Sequence, residues 1–440
     1  MPGEILTVWM DGHPTPAGRL VRSDHGDTAF AYEADYVARG GVPLSMSLPF
    51  EDEAFGDIET RAFFANLLPE NTQLQRVMER EGLTRDDVVG LLRHLGADCA
   101  GSVSCLPLDA PPIKTPGVLA EDYEVLDDRR LENIARTLRE ERRLPADVRD
   151  PSPVAGVQSK IAITRMPDGT FALPKPGSRV PTTHILKVPA KRDFRDARHE
   201  EAAAILAAAA GLGVSVPEAV KIGDIDALVI TRFDRVVRDG VVTRIHQEDF
   251  AQALGLPSEL KYQRRGRPGR WFDVDAALQV LDATRDPAGA RVAFLRATVF
   301  NLCIGNTDNH AKNHAVLYDA PGPPRFAPLY DMLPIRLSRE FTHELAFRIG
   351  DATDFESMTR GDLNTFFIQM GVSENSLEDL VQGDISPMLE TLERASPVLR
   401  SSNLKLFDDL LGRQLEELAA RLGLPDLDIA PRDFFPAAGR

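Results

Sequence analysis

The chain has 440 residues, of which 51 are basic and 67 acidic, for a formal net charge of −16, with 43% hydrophobic and 27% charged residues. That length exceeds one simple core, so two or three domains are expected at roughly 100–200 residues each. The composition is that of an ordinary globular protein, and the acidic balance excludes broad, unaided nucleic-acid binding because it leaves phosphates without neutralising charge.

In chain order, residues 6–10 form a short apolar run, and 18–21 and 28–32 follow turn residues with strand-like alternation, so all three are predicted strands. Residues 61–68 are predicted helical, with Pro69 as the stop. Thr84 is the expected N-cap of a further helix, with Asp86 and Asp87 in its first turn. Residues 99–106 return to strand, so 1–110 reads as a small α+β unit. The Pro-rich stretch 110–116 is a linker or domain-edge loop. Next come a charged helix at 131–143, strands at 161–164 and 183–188, and an Ala-rich helix at 200–210 closed by Gly211. An apolar strand at 228–231 ends in Arg232-Phe233-Asp234-Arg235, where an Asp–Arg surface pair is the plain expectation. Beyond Asp249 the pattern is mostly helical, apart from one polar loop, a short strand near Val316 and the tail after Pro425. The basic island Arg264-Arg265-Gly266-Arg267 reads as a solvated loop.

Cys99, Cys105 and Cys303 show neither a pairing pattern nor a zinc spacing, which fits a reducing, cytoplasmic compartment. No run reaches membrane-spanning length, and no membrane partner is expected.

The chemistry concentrates in Gly305-Asn306-Thr307-Asp308-Asn309-His310-Ala311-Lys312-Asn313 and in Pro328-Leu329-Tyr330-Asp331. Asp308 stands five positions before Asn313, the Asp-to-Asn spacing of the protein-kinase catalytic loop. Phosphoryl transfer needs one carboxylate for the acceptor hydroxyl, an Asn and a second Asp for metal, and a nearby cation. Those roles fall to Asp308, Asn313, Asp331 and Lys312. Asn306, Asn309 and His314 read as turn and scaffold residues, and His310 as a loop-orienting group. The competing reading is a polar turn rich in Asn, Asp and Gly. Lys187, inside an apolar strand, is costly to bury unless paired, with Glu200 the first candidate partner and Glu201 the second. The loop Val154-Ala155-Gly156-Val157-Gln158-Ser159-Lys160 has one glycine, so by itself it reads as an ordinary strand entry, although its backbone N–H groups could cover phosphates.

With Pro43-Leu44-Ser45-Met46-Ser47-Leu48-Pro49, residues 61–70, Cys99-Ala100-Gly101-Ser102 and residues 247–255, these motifs run through nearly the whole chain in order. The chain thereby resembles the HipA family of serine/threonine kinases, the toxin half of HipBA-type toxin–antitoxin pairs. The resemblance implies an α+β, protein-kinase-like two-lobe fold: an extra N-terminal subdomain (1–110), a mixed α/β N-lobe (111–235) and an all-helical C-lobe (236–440). It implies ATP and Mg2+ as cosubstrates. The nucleotide would meet Ala155, Gly156, Val157, Gln158, Ser159, Lys160, Lys187, Glu200, the hinge Thr231, Arg232 and Phe233, and His310 and Tyr330. Asp308 and Lys312 would be catalytic, and Asn313 and Asp331 would hold metal.

The resemblance further implies a HipB-like helix-turn-helix antitoxin as partner, operator DNA reached mainly through that antitoxin, and a protein substrate of the aminoacyl-tRNA synthetase type. It implies growth arrest or persistence, and a cytoplasmic protein that becomes nucleoid-associated in the repressor complex. Two positions depart from the family pattern. Pro153 stands where an inhibitory phosphoserine is usual, leaving Ser152 or Ser159 as substitutes. Thr231 replaces an acidic hinge residue. A pseudokinase corepressor and a small-molecule phosphotransferase are the alternatives.

Overall fold

The structure, a computed structural model, describes residues 3–69, 72–145, 147–148, 159–189, 194–424, 427–430 and 432. The chain forms two compact units. One comprises Met1–Phe194, Ala219–Ser258 and Val316–Pro324; the other comprises Arg195–Glu218, Glu259–Ala315 and Arg325–Arg440.

The first unit opens with an antiparallel sheet in the order Thr28–Tyr32, Gly18–Arg22, Glu4–Met10, Val103–Pro107. Leu6 faces Leu20, and Leu20 faces Phe30, so one face carries an apolar row across three strands. This row joins Tyr36, Phe63, Phe64, Leu91 and Leu92 in a common core. Gly18 permits the close strand approach, since a Cβ there would meet the Ala31 carbonyl at 2.3 Å.

Two helices cover this sheet, and neither has the bounds expected from sequence. The helix Asp57–Ala65 starts before Arg61 and ends before Pro69, because Asn66 turns its amide back onto the Ala62 and Leu256 carbonyls at 2.7 and 2.9 Å. The helix Val88–Leu95 is capped by Asp87, not Thr84; the Asp87 carboxylate accepts the Gly90 N–H at 2.9 Å and also pairs with buried Arg22. A charged acceptor fixed by a guanidinium outcompetes a hydroxyl three residues upstream.

The same unit contains a six-stranded sheet ordered Glu218–Ile222, Ile225–Thr231, His184–Lys187, Lys160–Arg165, Phe171–Pro174, Tyr123–Val125. The helix Asp128–Glu141, capped by Asp127, lays Ile134, Ala135 and Leu138 against Ile161, Ile163, Leu186 and Val229. Side chains alternate along a strand. Since Leu186 packs beneath the helix, Lys187 belongs to the opposite face.

The second unit is built around the helix Pro287–Ile304, which packs against Lys405–Leu422. Asp286 caps it, and Phe294, Leu295, Ala297, Val299 and Phe300 are buried along it. The helix Phe194–Ala209 leads to Gly211 at φ +74°, a left-handed value that glycine adopts without strain. Residues 236–440 are not all-helical. They include the strands Val241–Arg244 and His246–Asp249, and the hairpin of Glu344–Ile349 with Ala352–Asp354. Helix and sheet are thus mixed through both units. Among the described residues no helix is long and apolar enough to cross a membrane, and all three cysteines are free and buried.

Candidate active site

In the second unit, the buried helix Pro287–Ile304 ends at Gly305, φ +68°, and the chain passes directly into the Asp308 loop. A Cβ on Gly305 would come within 2.9 Å of Leu410 and 3.3 Å of Arg336, so both backbone sign and space demand glycine there. Buried Arg336 reinforces this helix end. Its backbone N–H donates to the Gly305 carbonyl at 3.0 Å, and its guanidinium holds Gln414, which donates to the Leu302 carbonyl at 2.9 Å. A cation at a helix C-terminus also opposes the negative end of the macrodipole.

The loop is fixed by its own amides. The Asn306 side chain donates through Nδ2 to Asn301 Oδ1 at 2.9 Å, and its Oδ1 accepts the Asp308 N–H at 3.1 Å. The Asp308 carbonyl accepts the Asn313 side-chain amide at 2.7 Å and the His310 N–H at 2.8 Å. Asn313 is therefore oriented with Nδ2 toward Asp308, which leaves Oδ1 as its metal-capable atom. The five-residue spacing brings the two side chains onto one tight turn.

The Asp308 carboxylate accepts a hydrogen bond from the Tyr262 hydroxyl. Burial is the largest influence on Asp308 and pushes its pKa up; the Tyr262 bond opposes this, and Asp331 raises it further. Lys261 and Arg264 act in the lowering direction. Asp331 is thus close enough for its charge to be felt at Asp308. Its φ of +57° is one that Asp tolerates better than most residues. Its segment is pinned by Leu329, whose N–H donates to the Gly213 carbonyl, and by Tyr330, whose hydroxyl donates to the Lys312 carbonyl, both at 2.8 Å.

His310 packs edge-on to Tyr262 at 4.9 Å between ring centroids. Burial pushes its pKa down to about 3, so it is a neutral wall at physiological pH. Lys312 stands on the same turn. Among the described residues no three His, Cys, Asp or Glu side chains gather as a metal site. The donors near Asp308 are one amide oxygen and one carboxylate, a set that suits an ion retaining much of its water and held also by phosphates. Glu200 lies buried on the helix Phe194–Ala209 of this unit.

In the first unit, Lys160 stands directly opposite Lys187 in the antiparallel register. Both side chains therefore share the sheet face away from the helix Asp128–Glu141. The Ser159 carbonyl is taken by the Val188 N–H at 2.9 Å. Ser152, Ala155, Gly156, Val157 and Gln158 lie outside the described residues.

Thr231 is exposed at a strand end beside partly buried Phe233, and the Arg232 N–H donates to the Thr183 carbonyl at 3.0 Å. The expected surface pair at Asp234 is in fact buried. Arg232 grips Asp234 with two bonds of 2.8 and 3.0 Å, and Arg235 adds a third at 2.7 Å. The two guanidiniums hold the Asp234 carboxyl well below the usual range against its burial, while burial pushes Arg235 down to about 9.

Sequence reasoning missed Tyr262, Arg336 and Gln414. Tyr262 adjoins the basic island that reads as a solvated loop, and nothing in linear spacing joins it to Asp308.

Comparison with known proteins bears on the family of the chain. Residues 6–106 match the HipA N-terminal domain, and residues 152–391 match the HipA-like C-terminal domain. The chain is 36% identical over 421 residues to Y4mE of Sinorhizobium fredii, named as a candidate kinase, covering 94% of this chain and 98% of that one. It is 27% identical over 397 residues to the serine/threonine-protein kinase toxin HipA of Shewanella oneidensis, covering 85% and 86% respectively. A chain from the solved complex of Shewanella oneidensis HipA, HipB and operator DNA shares its fold, with a TM-score of 0.77 at 24% identity, covering 96% of this chain and all of that one. The chain belongs to the HipA family of serine/threonine-protein kinase toxins.

Proposed function

We propose that this kinase transfers phosphate from ATP, with Mg2+, to a serine or threonine of a protein, and that Asp308 is the residue that receives the acceptor proton. The observation that carries the reading is the single braced turn bearing Asp308 and Asn313, with Asp331 in Coulomb reach. When bound, the metal ion would neutralise charge on the transferring phosphoryl group. Asn313 Oδ1 and the Asp331 carboxylate would hold that ion, and Lys312 would add positive charge beside it. Asp308 would orient the hydroxyl and take its proton as the new P–O bond forms. Its upward-shifted pKa makes it a better proton acceptor than an exposed carboxylate. Lys160 and Lys187 would bind nucleotide phosphates, and Thr231, Arg232 and Phe233 the base. The Arg232 N–H is already engaged, so an adenine would rely on other groups of that segment.

The solved relative was crystallised with HipB and operator DNA. On that basis the partner proposed here is a helix-turn-helix antitoxin that carries this chain to its operator. The net charge of −16 supports an indirect contact with DNA. A translation-related protein, such as an aminoacyl-tRNA synthetase, is the proposed target, with growth arrest as the result. Self-phosphorylation at Ser152 or Ser159 remains part of the reading despite Pro153.

The test is ATP-dependent phosphate incorporation into candidate proteins by wild type, Asp308→Ala and Asp331→Ala. The reading expects incorporation by wild type alone. Incorporation at wild-type rates by both variants would overturn it.

A further inference from the structure

Ten residues of the second unit, 261–270, carry five cations and no acid: Lys261, Arg264, Arg265, Arg267 and Arg270. In a chain of net charge −16 this density is exceptional. The segment is not a remote loop. Tyr262, inside it, donates its hydroxyl to Asp308. Around the Tyr262 ring stand Arg264 at 4.0 Å, Arg265 at 5.6 Å and Lys261 at 5.8 Å from the centroid. The Gln263 side chain accepts the Arg348 N–H at 2.6 Å, which ties the segment to the hairpin strand Glu344–Ile349. Arg267 and Arg270 pair across the turn at Pro268-Gly269, with Gly269 at φ +78°. Arg265 and Arg267 are exposed. Glu344 stands 3.8 Å from Arg264.

We infer that this basic segment selects the phosphate acceptor: it binds acidic residues flanking the serine or threonine offered to Asp308. This deepens the proposed kinase reading and rests on it. An acceptor hydroxyl at Asp308 must lie within one side-chain length of Tyr262. The residues beside it in an extended peptide, at about 3.3 Å per residue, then pass the ring of cations. Acidic side chains there gain charge-assisted contacts with guanidinium groups, while basic ones are repelled. A protein segment is favoured over nucleic acid because the cations converge on a proton-accepting carboxylate, which repels a phosphate backbone.

The test uses the full chain and three fluorescent peptides with one central serine, flanked by Asp and Glu, by Ala and Gly, or by Lys and Arg. Binding is read by anisotropy at low and raised salt, and turnover with ATP and Mg2+ on the same peptides. Arg265→Glu/Arg267→Glu is the variant, chosen at exposed positions so that folding is preserved. The expected result is at least tenfold tighter binding of the acidic peptide by wild type, weakened by salt, with the preference lost or reversed toward the basic peptide in the variant. Turnover is expected to follow through KM, with kcat nearly unchanged. Equal binding of all three peptides by wild type overturns the inference. So does an unchanged preference in the variant, or displacement of the acidic peptide by a tenfold lower concentration of single-stranded oligonucleotide. Selective binding without turnover of any peptide would sustain the basic-segment recognition and count against the kinase reading instead.

Discussion

Asp234 and Asp308 are both enclosed carboxylates, one in each unit, and the protein treats them in opposite ways. Asp234 is gripped by Arg232 and Arg235, which hold it ionised far below its ordinary range. Asp308 has a neutral phenol as its close donor, burial that raises its pKa, and Asp331 raising it further. A carboxylate that only fastens the fold is matched by cations. In the proposed reading Asp308 takes the acceptor proton, and it is less well compensated than Asp234. Burial alone does not separate the two; the partners do.

Four experiments sharpen that contrast. Asp308→Ala is expected to cut phosphoryl transfer by about 10^2–10^4-fold, with urea unfolding nearly unchanged; a matching loss of stability would place Asp308 with Asp234 as a structural group. Asp234→Ala leaves two buried guanidiniums without their acid and is expected to cost about 3–5 kcal/mol of stability, read from the urea midpoint. Because Asp234 is depressed in the folded state, its contribution is complete above the unfolded carboxylate value and is lost as pH falls toward the folded one.

A third carboxylate, Glu248, tests the sign of the argument. Its partners are the Ser45 and Tyr318 hydroxyls and the Met46 N–H, all neutral. Burial pushes it up to about 7 from 4.5. Between these values the folded state holds more protons than the unfolded state, so stability falls as pH rises through that window. Glu248→Gln is expected to flatten this slope and to gain up to about 3 kcal/mol at pH 8, measured by urea unfolding across pH. An unaltered slope would assign it to other groups. The smallest effect is expected from Tyr262→Phe. Removing its hydrogen bond should lift Asp308 further and move the acid limb of the rate profile to higher pH, while the alkaline side stays put.

Much of this was legible in the sequence, where the information is local. The strands at 6–10, 18–21 and 28–32 alternate clearly, and the Asp308–Asn313 spacing and the Lys187 strand stand out. Local signals also misled. Thr84 has the right chemistry for a cap, yet Asp87 takes the role because Arg22, 65 residues away, fixes it. Asp234 read as a surface residue since its burial depends on how the strands pack. The strands past 236 run against the all-helical C-lobe that the family resemblance implies, although Asp239-Gly240, with φ of +51° and +77°, was a readable hairpin turn joining Arg235–Arg238 to Val241–Arg244. Tyr262 had no linear signal at all, because only tertiary folding carries it the 46 residues to Asp308.

The most direct test of the central claim compares Asp308→Asn with Asp234→Asn by intact mass of a serine-containing protein substrate after incubation with ATP and Mg2+, alongside urea unfolding of each variant. The account predicts no added phosphate with wild-type stability for Asp308→Asn, and reduced stability with phosphate still transferred by the folded fraction for Asp234→Asn. Phosphate transfer by Asp308→Asn at the wild-type rate would contradict it.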